Sequence, residues 1–232
     1  RVGFNAGDEF FWRDRARFIP HRGGPDEWPA HLERLVTEKG VTDIVLYGDV
    51  RPIHAAAREA AGQPGLLGLH LEGPYINPGK KGAHQAEFIR VPTVEEVEKL
   101  LTEAQGALRL MTLAPERVPP EVTQRLRLAG VVLSAGHSLA TYDQATAAFG
   151  SHYLAATHLF NAMSGFESRA PGLVGAVYDH PTALASLIAD GVHCDYAALR
   201  ISQRLMGERL FLITDAVEAS TQGAYRFRRE GN

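Results

Sequence analysis

Six apolar stretches of this chain each run into a residue able to bind a metal or move a proton. Leu66 to Leu71 meets Glu72, Leu108 to Leu113 meets Ala114-Pro115-Glu116, and Val131 to Ala135 meets Gly136-His137. Tyr153 to Thr157 meets His158, Leu187 to Asp190 meets Gly191-Val192-His193, and Phe211 to Thr214 ends on Asp215. Neutral imidazole is the commonest protein ligand for zinc-like ions. One carboxylate and two imidazoles, Glu72, His137 and His158, leave a position open for a water that the ion makes acidic. Asp215 closes a buried strand, where an isolated carboxylate is costly and needs a cation or an activated water beside it. It suits a general base toward that water and then a general acid toward a departing amine.

Taken singly, each of these side chains reads as a strand-end carboxylate, a helix cap or a core histidine. Their recurrence at one point of a repeating unit argues for a shared site. His137 and His158 lie 21 residues apart, one strand-helix step, and so belong on adjacent strand ends. His70 shares Glu72's side of its strand and reads as a supporting histidine rather than a ligand. Cys194 has no activating partner in sequence and reads as packing. Softer candidates sit in the loops. Lys80-Lys81 precedes His84 after the Glu72 strand, Arg169 is able to fork onto a phosphate, and His193 to bond a sugar or amide oxygen.

The elements that must carry these residues alternate between strand and helix. Helices are expected over Thr93 to Gln105, Pro120 to Leu128, Ser138 to Phe149 and Asp195 to Met206, opened by capping residues or proline and followed by glycine. The strands read as near-continuous apolar runs, as parallel strands covered by helices do. Strands alternating with helices give the α/β class. Upstream, Val2 to Asn5 and Asp43 to Tyr47 read as strands and Pro25 to Lys39 and Pro52 to Ala61 as helices, with Asp8 to Gly24 unassigned. Two βα units there and six downstream match the count of a (β/α)8 barrel, whose catalytic groups gather at the carboxyl ends of the strands.

Composition limits the other classes. Hydrophobic residues make up 45% and charged residues 22% of the 232, as in an ordinary globular domain. A net charge of −3 offers no electrostatic case for nucleic acid or an anionic membrane. One cysteine forms no internal disulfide, which with the absence of a signal-peptide layout at Arg1-Val2-Gly3-Phe4 points to the cytoplasm. The missing initiator methionine is expected of a fragment or a processed product. No apolar stretch approaches the ~20 residues of a membrane span.

Five motifs taken together, His70-Leu71-Glu72-Gly73-Pro74, Ser134-Ala135-Gly136-His137-Ser138, Thr157 to Met163, Ala189-Asp190-Gly191-Val192-His193 and Thr214-Asp215-Ala216, resemble the N-acetylglucosamine-6-phosphate deacetylases of the amidohydrolase superfamily. The resemblance covers about residues 64 to 222. It implies a TIM-barrel-like amidohydrolase truncated at both ends, with one divalent metal, zinc or iron, on Glu72, His137 and His158. It implies Asp215 as the proton-transfer residue, and substrate contacts from His84, Asn161, Ala162 through its backbone, Arg169 and His193. It further implies hydrolysis of a phosphorylated amino sugar in a homodimer, with Arg169 reaching the phosphate of the neighbour's substrate. Residues 1–62, with Val2 to Trp12 and Val41 to His54, resemble capsular polysaccharide export or biosynthesis proteins. The chain thus reads as an atypical segment 1–62 joined to a partial barrel 63–232, its borrowed strands standing in for the first two barrel strands. The alternative is a capsule-type glycosyltransferase carrying an inert barrel.

Overall fold

Short apolar runs without alternation suit parallel strands, and here they form one parallel sheet with helices packed on one face. The structure is a computed structural model that describes residues 67–215 and the segments 2–3, 19–20 and 45–47. Strands β3 (Val45–Tyr47), β4 (Gly68–Glu72), β5 (Leu108–Leu113), β6 (Val132–Ala135), β7 (Tyr153–Ala156), β8 (Leu184–Ile188) and β9 (Leu210–Ile213) form seven consecutive parallel neighbours. Helices α1 (Val94–Ala104), α2 (Pro120–Leu128), α3 (Tyr142–Phe149), α4 (Gly172–Asp179) and α5 (Tyr196–Met206) fill the crossovers. This is α/β architecture with strand order following chain order, the arrangement of a truncated TIM-type barrel.

The expected pairing of Asp43 to Tyr47 with the Glu72 strand is present, with Val45 opposite Gly68 and Tyr47 opposite His70. Among the described residues seven strands form this sheet, and the two-residue strands β1 (Val2–Gly3) and β2 (Ile19–Pro20) pair with each other in a separate one. The expected helices Pro25 to Lys39 and Pro52 to Ala61 lie outside the described residues, as does Asp8 to Gly24 apart from Ile19–Pro20.

One sheet face is apolar and meets the helices. Met111, Leu113, Leu133 and Ala135 are fully buried there against Val97 of α1, Val122 and Leu126 of α2 and Ala145 of α3. The opposite face is polar toward its carboxyl end. Register aligns Glu72 with Thr112 and Thr112 with Ser134, and these hydroxyls hydrogen-bond in sequence. His70 Nε2 lies 2.6 Å from Thr112 Oγ1, which lies 2.8 Å from Thr157 Oγ1, itself 2.6 Å from Ser134 Oγ. A buried polar chain of this kind persists because its members satisfy one another.

Capping fixes where the helices begin. Thr93 and Glu96 form a reciprocal capping box on α1, and Thr141 and Gln144 form another on α3. The second corrects the expected start at Ser138, whose hydroxyl is engaged by Glu116 instead. Asp195 caps α5 as expected. Helix α4 was not among the expected helices. Residues Gly172 to Val177 are all buried, so the segment lacks the one-sided apolar stripe by which a surface helix is read.

Candidate metal centre

The strand ends bring the expected acid and two histidines into contact. Glu72 closes β4, His137 follows β6 by one glycine, and His158 follows Thr157 beyond β7. His158 Nε2 stands 3.0 Å from Glu72 Oε1 and 3.0 Å from His137 Nε2, and His137 Nε2 also contacts Glu72 Oε1. The three side chains are 10%, 7% and 3% exposed for Glu72, His137 and His158, so their encounter takes place out of bulk water.

The backbone turns sharply to achieve this. His137 and His158 adopt φ of 48° and 40°, and Asp215 adopts 49°. For residues with a Cβ this left-handed conformation costs about 1–2 kcal/mol each, and it gathers at sites where side-chain direction matters. Neighbouring strands secure it. The His158 N–H donates to Ser186 Oγ of β8 at 2.8 Å, and the Leu159 N–H donates to the Ser186 carbonyl at 2.8 Å. Gly136 must remain glycine, since an added Cβ would lie 2.7 Å from Thr112 Cγ2.

The donor set fits a divalent cation. His137 Nδ1 donates to the Lys80 carbonyl at 2.6 Å, which places the ring proton on Nδ1 and leaves the Nε2 lone pair facing Glu72 and His158. Ligands about 2.0 Å from a tetrahedral ion stand about 3.3 Å apart, near the separations of His158 Nε2 from Glu72 and from His137. Three basic atoms this near one another repel unless a proton or a cation lies among them. His158 Nδ1 is buried without a hydrogen-bond partner among the described residues, so its ring is held through Nε2.

Electrostatics agree with that reading. Burial would raise the Glu72 carboxyl, but the adjoining imidazoles of His137 and His158 and their charge outweigh it and hold it well below the usual carboxylate range. Burial would likewise lower His158, yet the hydrogen bond and charge of Glu72 raise it above an ordinary histidine. His70, enclosed beneath the site, is lowered by burial to about 4 and is therefore neutral, the supporting residue expected. Asp215 is pushed up to about 6, chiefly by burial and then by the charge of Glu72, with His158, His137 and His193 opposing. Asp215 is thus close enough to feel all four.

His84 is drawn further into the site than its expected substrate role required. Its ring stacks edge-on to His137 with centroids 4.7 Å apart, and ligand atoms of Glu72, His84 and His137 all lie within 4.8 Å of one another. Both its nitrogens already face carbonyls, Nδ1 to Lys81 at 3.0 Å and Nε2 to Glu72 at 3.2 Å. It therefore presents no lone pair toward the Glu72 carboxylate, and His158 completes the ligand set better.

The other candidates occupy the loops of the same rim. Asn161 and Ala162 follow His158, with the Ala162 carbonyl accepting from the Ser138 N–H at 3.0 Å. His193 is held by Asp190, whose Oδ2 meets its Nδ1 at 2.6 Å and whose Oδ1 accepts its backbone N–H at 2.7 Å. Arg169 is exposed in the loop before α4. Cys194 is buried, and burial raises its thiol, in keeping with packing. Sequence reasoning missed the Lys80 carbonyl, which acts through backbone geometry, and the Asp190 carboxylate, and left Glu116 without a role.

The amidohydrolase family model matches residues 37–232. That match begins inside the segment 1–62 in which a capsule-protein resemblance was read. The chain is 43% identical over 155 residues to N-acetylglucosamine-6-phosphate deacetylase of Haemophilus influenzae, covering 66% of this chain and 40% of that protein. It is 35% identical over 209 residues to N-acetylgalactosamine-6-phosphate deacetylase of Escherichia coli, covering 84% and 55%. The chain spans about half the length of the curated relatives it matches. Among solved structures, N-acetyl-D-glucosamine-6-phosphate deacetylase of Mycobacterium smegmatis aligns with a TM-score of 0.73 at 30% identity, over 91% of this chain and 64% of that one. A mutant of the same enzyme, in complex with N-acetyl-D-glucosamine-6-phosphate, aligns at 0.71 and 34% identity, over 85% and 54%.

Proposed function

The chain belongs to the amidohydrolase family, and from that premise we propose that it hydrolyses the acetamide of N-acetylglucosamine 6-phosphate to glucosamine 6-phosphate and acetate. The observation that carries this reading is the convergence of Glu72, His137 and His158 with Asp215 beside them. Glu72, His137 and His158 would hold one divalent ion, zinc or iron by ligand type. Such an ion, when bound, polarises the acetyl carbonyl and makes a water acidic. Asp215 accepts the water's proton on its carboxylate and then delivers it to the departing amine nitrogen. His193, with Nδ1 fixed on Asp190, directs Nε2 at the carbonyl or a sugar hydroxyl, and His84 lines the sugar's side of the site. Asn161 and the Ala162 backbone complete the substrate contacts. Arg169 serves the phosphate of a neighbouring subunit's substrate in a cytoplasmic homodimer.

A galactosamine substrate is the second reading, supported by the 35% identity to the N-acetylgalactosamine-6-phosphate enzyme. The two sugars differ only in the orientation of the 4-hydroxyl. The test is acetate release from each sugar by zinc- or iron-loaded protein, with metal content measured alongside. The proposal expects about one ion per chain and faster release from the glucosamine derivative. Asp215→Asn should keep the ion and lose about 10²- to 10⁴-fold in turnover. A metal-loaded chain that releases no acetate from either sugar, or equal turnover by Asp215→Asn, overturns it.

A further inference from the structure

We propose that Glu116 is a positioning residue that sets His137 for metal binding; the inference rests on the reading of Glu72, His137 and His158 as ligands. Glu116 stands in the 3-10 turn Pro115–Arg117 directly after β5, and β5 lies between the strands carrying Glu72 and His137. Its carboxylate accepts three donors from the two flanking loops. Oε1 takes Asn77 Nδ2 at 2.9 Å and the Leu139 N–H at 2.6 Å, and Oε2 takes Ser138 Oγ at 2.7 Å.

Both loops end on His137. The Asn77 N–H donates to the His137 carbonyl at 2.9 Å, and the Lys80 N–H donates to the Asn77 carbonyl at 2.9 Å. The Lys80 carbonyl in turn accepts from His137 Nδ1. The Asn77 side chain also closes its own turn, with Oδ1 accepting from the Gly79 N–H at 2.9 Å. One turn, Asn77 to Lys80, therefore holds His137 at its backbone and at its ring, and Glu116 fastens that turn to the two residues following His137. Without the carboxylate, the Lys80 carbonyl loses its fixed distance from the ring. The proton on Nδ1, and with it the lone pair on Nε2, is then no longer specified. The two oxygens of a carboxylate side chain in this turn offer enough acceptor sites to serve all three donors. This explains the Ala114-Pro115-Glu116 strand end, which none of the ligand or proton-transfer roles uses.

The experiment measures zinc dissociation constants by chelator competition and the visible spectrum of the cobalt-loaded protein, for wild type, Glu116→Ala, Glu116→Gln and Asn77→Ala. Melting of the metal-free forms is recorded in parallel. Outer-shell partners of ligating histidines are typically worth about 10- to 100-fold in metal affinity, and that loss, with altered cobalt bands, is expected for Glu116→Ala. Glu116→Gln, which keeps one acceptor oxygen, should recover part of it. Asn77→Ala should weaken binding in the same direction, and the double variant should lose less than the sum of the two. Unchanged affinity and spectrum in Glu116→Ala overturn the proposal, as does a lowered melting temperature with the zinc constant intact. If Glu116→Ala fails to fold, wild-type affinity in both Glu116→Gln and Asn77→Ala overturns it equally. A wild-type chain that binds no ion refutes the ligand set itself, a separate outcome from either.

Discussion

Replacing Asp215 by asparagine should stabilise the metal-free protein at neutral and higher pH while removing its chemistry. Burial and the nearby charge of Glu72 hold the Asp215 carboxyl at about 6, against an ordinary 3.8. That difference corresponds to about 3 kcal/mol between the two protonation states. Because the folded value is raised, the fold holds the proton more tightly than the unfolded chain does. The stability Asp215 contributes is complete below its unfolded value and is lost as pH rises through about 6. An asparagine carries no such penalty, so its advantage grows from about 1 kcal/mol at pH 4.5 toward about 3 kcal/mol at pH 8. Residual solvent contact and adjustment of the facing histidines bring the gain at pH 8 to about 1–3 kcal/mol. For a chain of this size that is a rise of about 3–10 °C in melting temperature. The assay is calorimetry of chelator-treated wild type and Asp215→Asn at both pH values, repeated with excess zinc. A cation beside Asp215 favours its charged form, so the advantage should shrink when zinc is present. A variant that melts at or below wild type in both metal-free buffers would show that burial does not penalise this carboxylate.

Two further perturbations test the scaffold. Gly136→Ala places a methyl 2.7 Å from Thr112 Cγ2 and 3.3 Å from Thr157 Cβ, and overpacking of this kind costs about 1–3 kcal/mol. Urea denaturation should show a lower midpoint together with weaker zinc binding, since His137 is the next residue; an unmoved midpoint contradicts the packing described. Arg209 Nη1 donates to the carbonyls of His180 and Ala183 at 2.8 Å and of Val177 at 3.3 Å, closing the end of α4. Arg209→Ala should therefore cost about 2–3 kcal/mol, with acetate release per folded molecule unchanged, and loss of turnover without loss of stability would place Arg209 nearer the chemistry than this geometry does.

The sequence exposed those parts of the protein whose signal is local. Strand β5 and helix α2 have the bounds that apolar runs and a Pro-rich start indicate. Helix α1 begins at the expected threonine because a capping box is written in residues three apart. Helix α4 was hidden because burial on every side erases amphipathic period, and the α3 cap was misread because Ser138 is drawn away by Glu116, a partner 22 residues distant. Strand β8 begins three residues earlier than its apolar core suggested, since Leu184 enters the sheet through pairing with Ala155 of β7. Val2 was credited to the barrel by counting, and counting carries no information about which strand a segment pairs with.

Residue type and spacing were sufficient to nominate Glu72, His137, His158 and Asp215, because a repeating strand-helix unit returns every strand end to the same rim. They also set His70 apart as a satisfied structural histidine rather than a ligand, in keeping with its burial and its bond to Thr112. What only the tertiary structure decided is how those groups are held: which ring nitrogen of His137 keeps its proton, which histidine lies beside Glu72, and how Asp215 comes to bind its proton near neutrality. Each depends on a carbonyl, a hydroxyl or a charge brought from a remote part of the chain, and hydrogen bonding and desolvation act through distance in space, which spacing along a sequence does not encode.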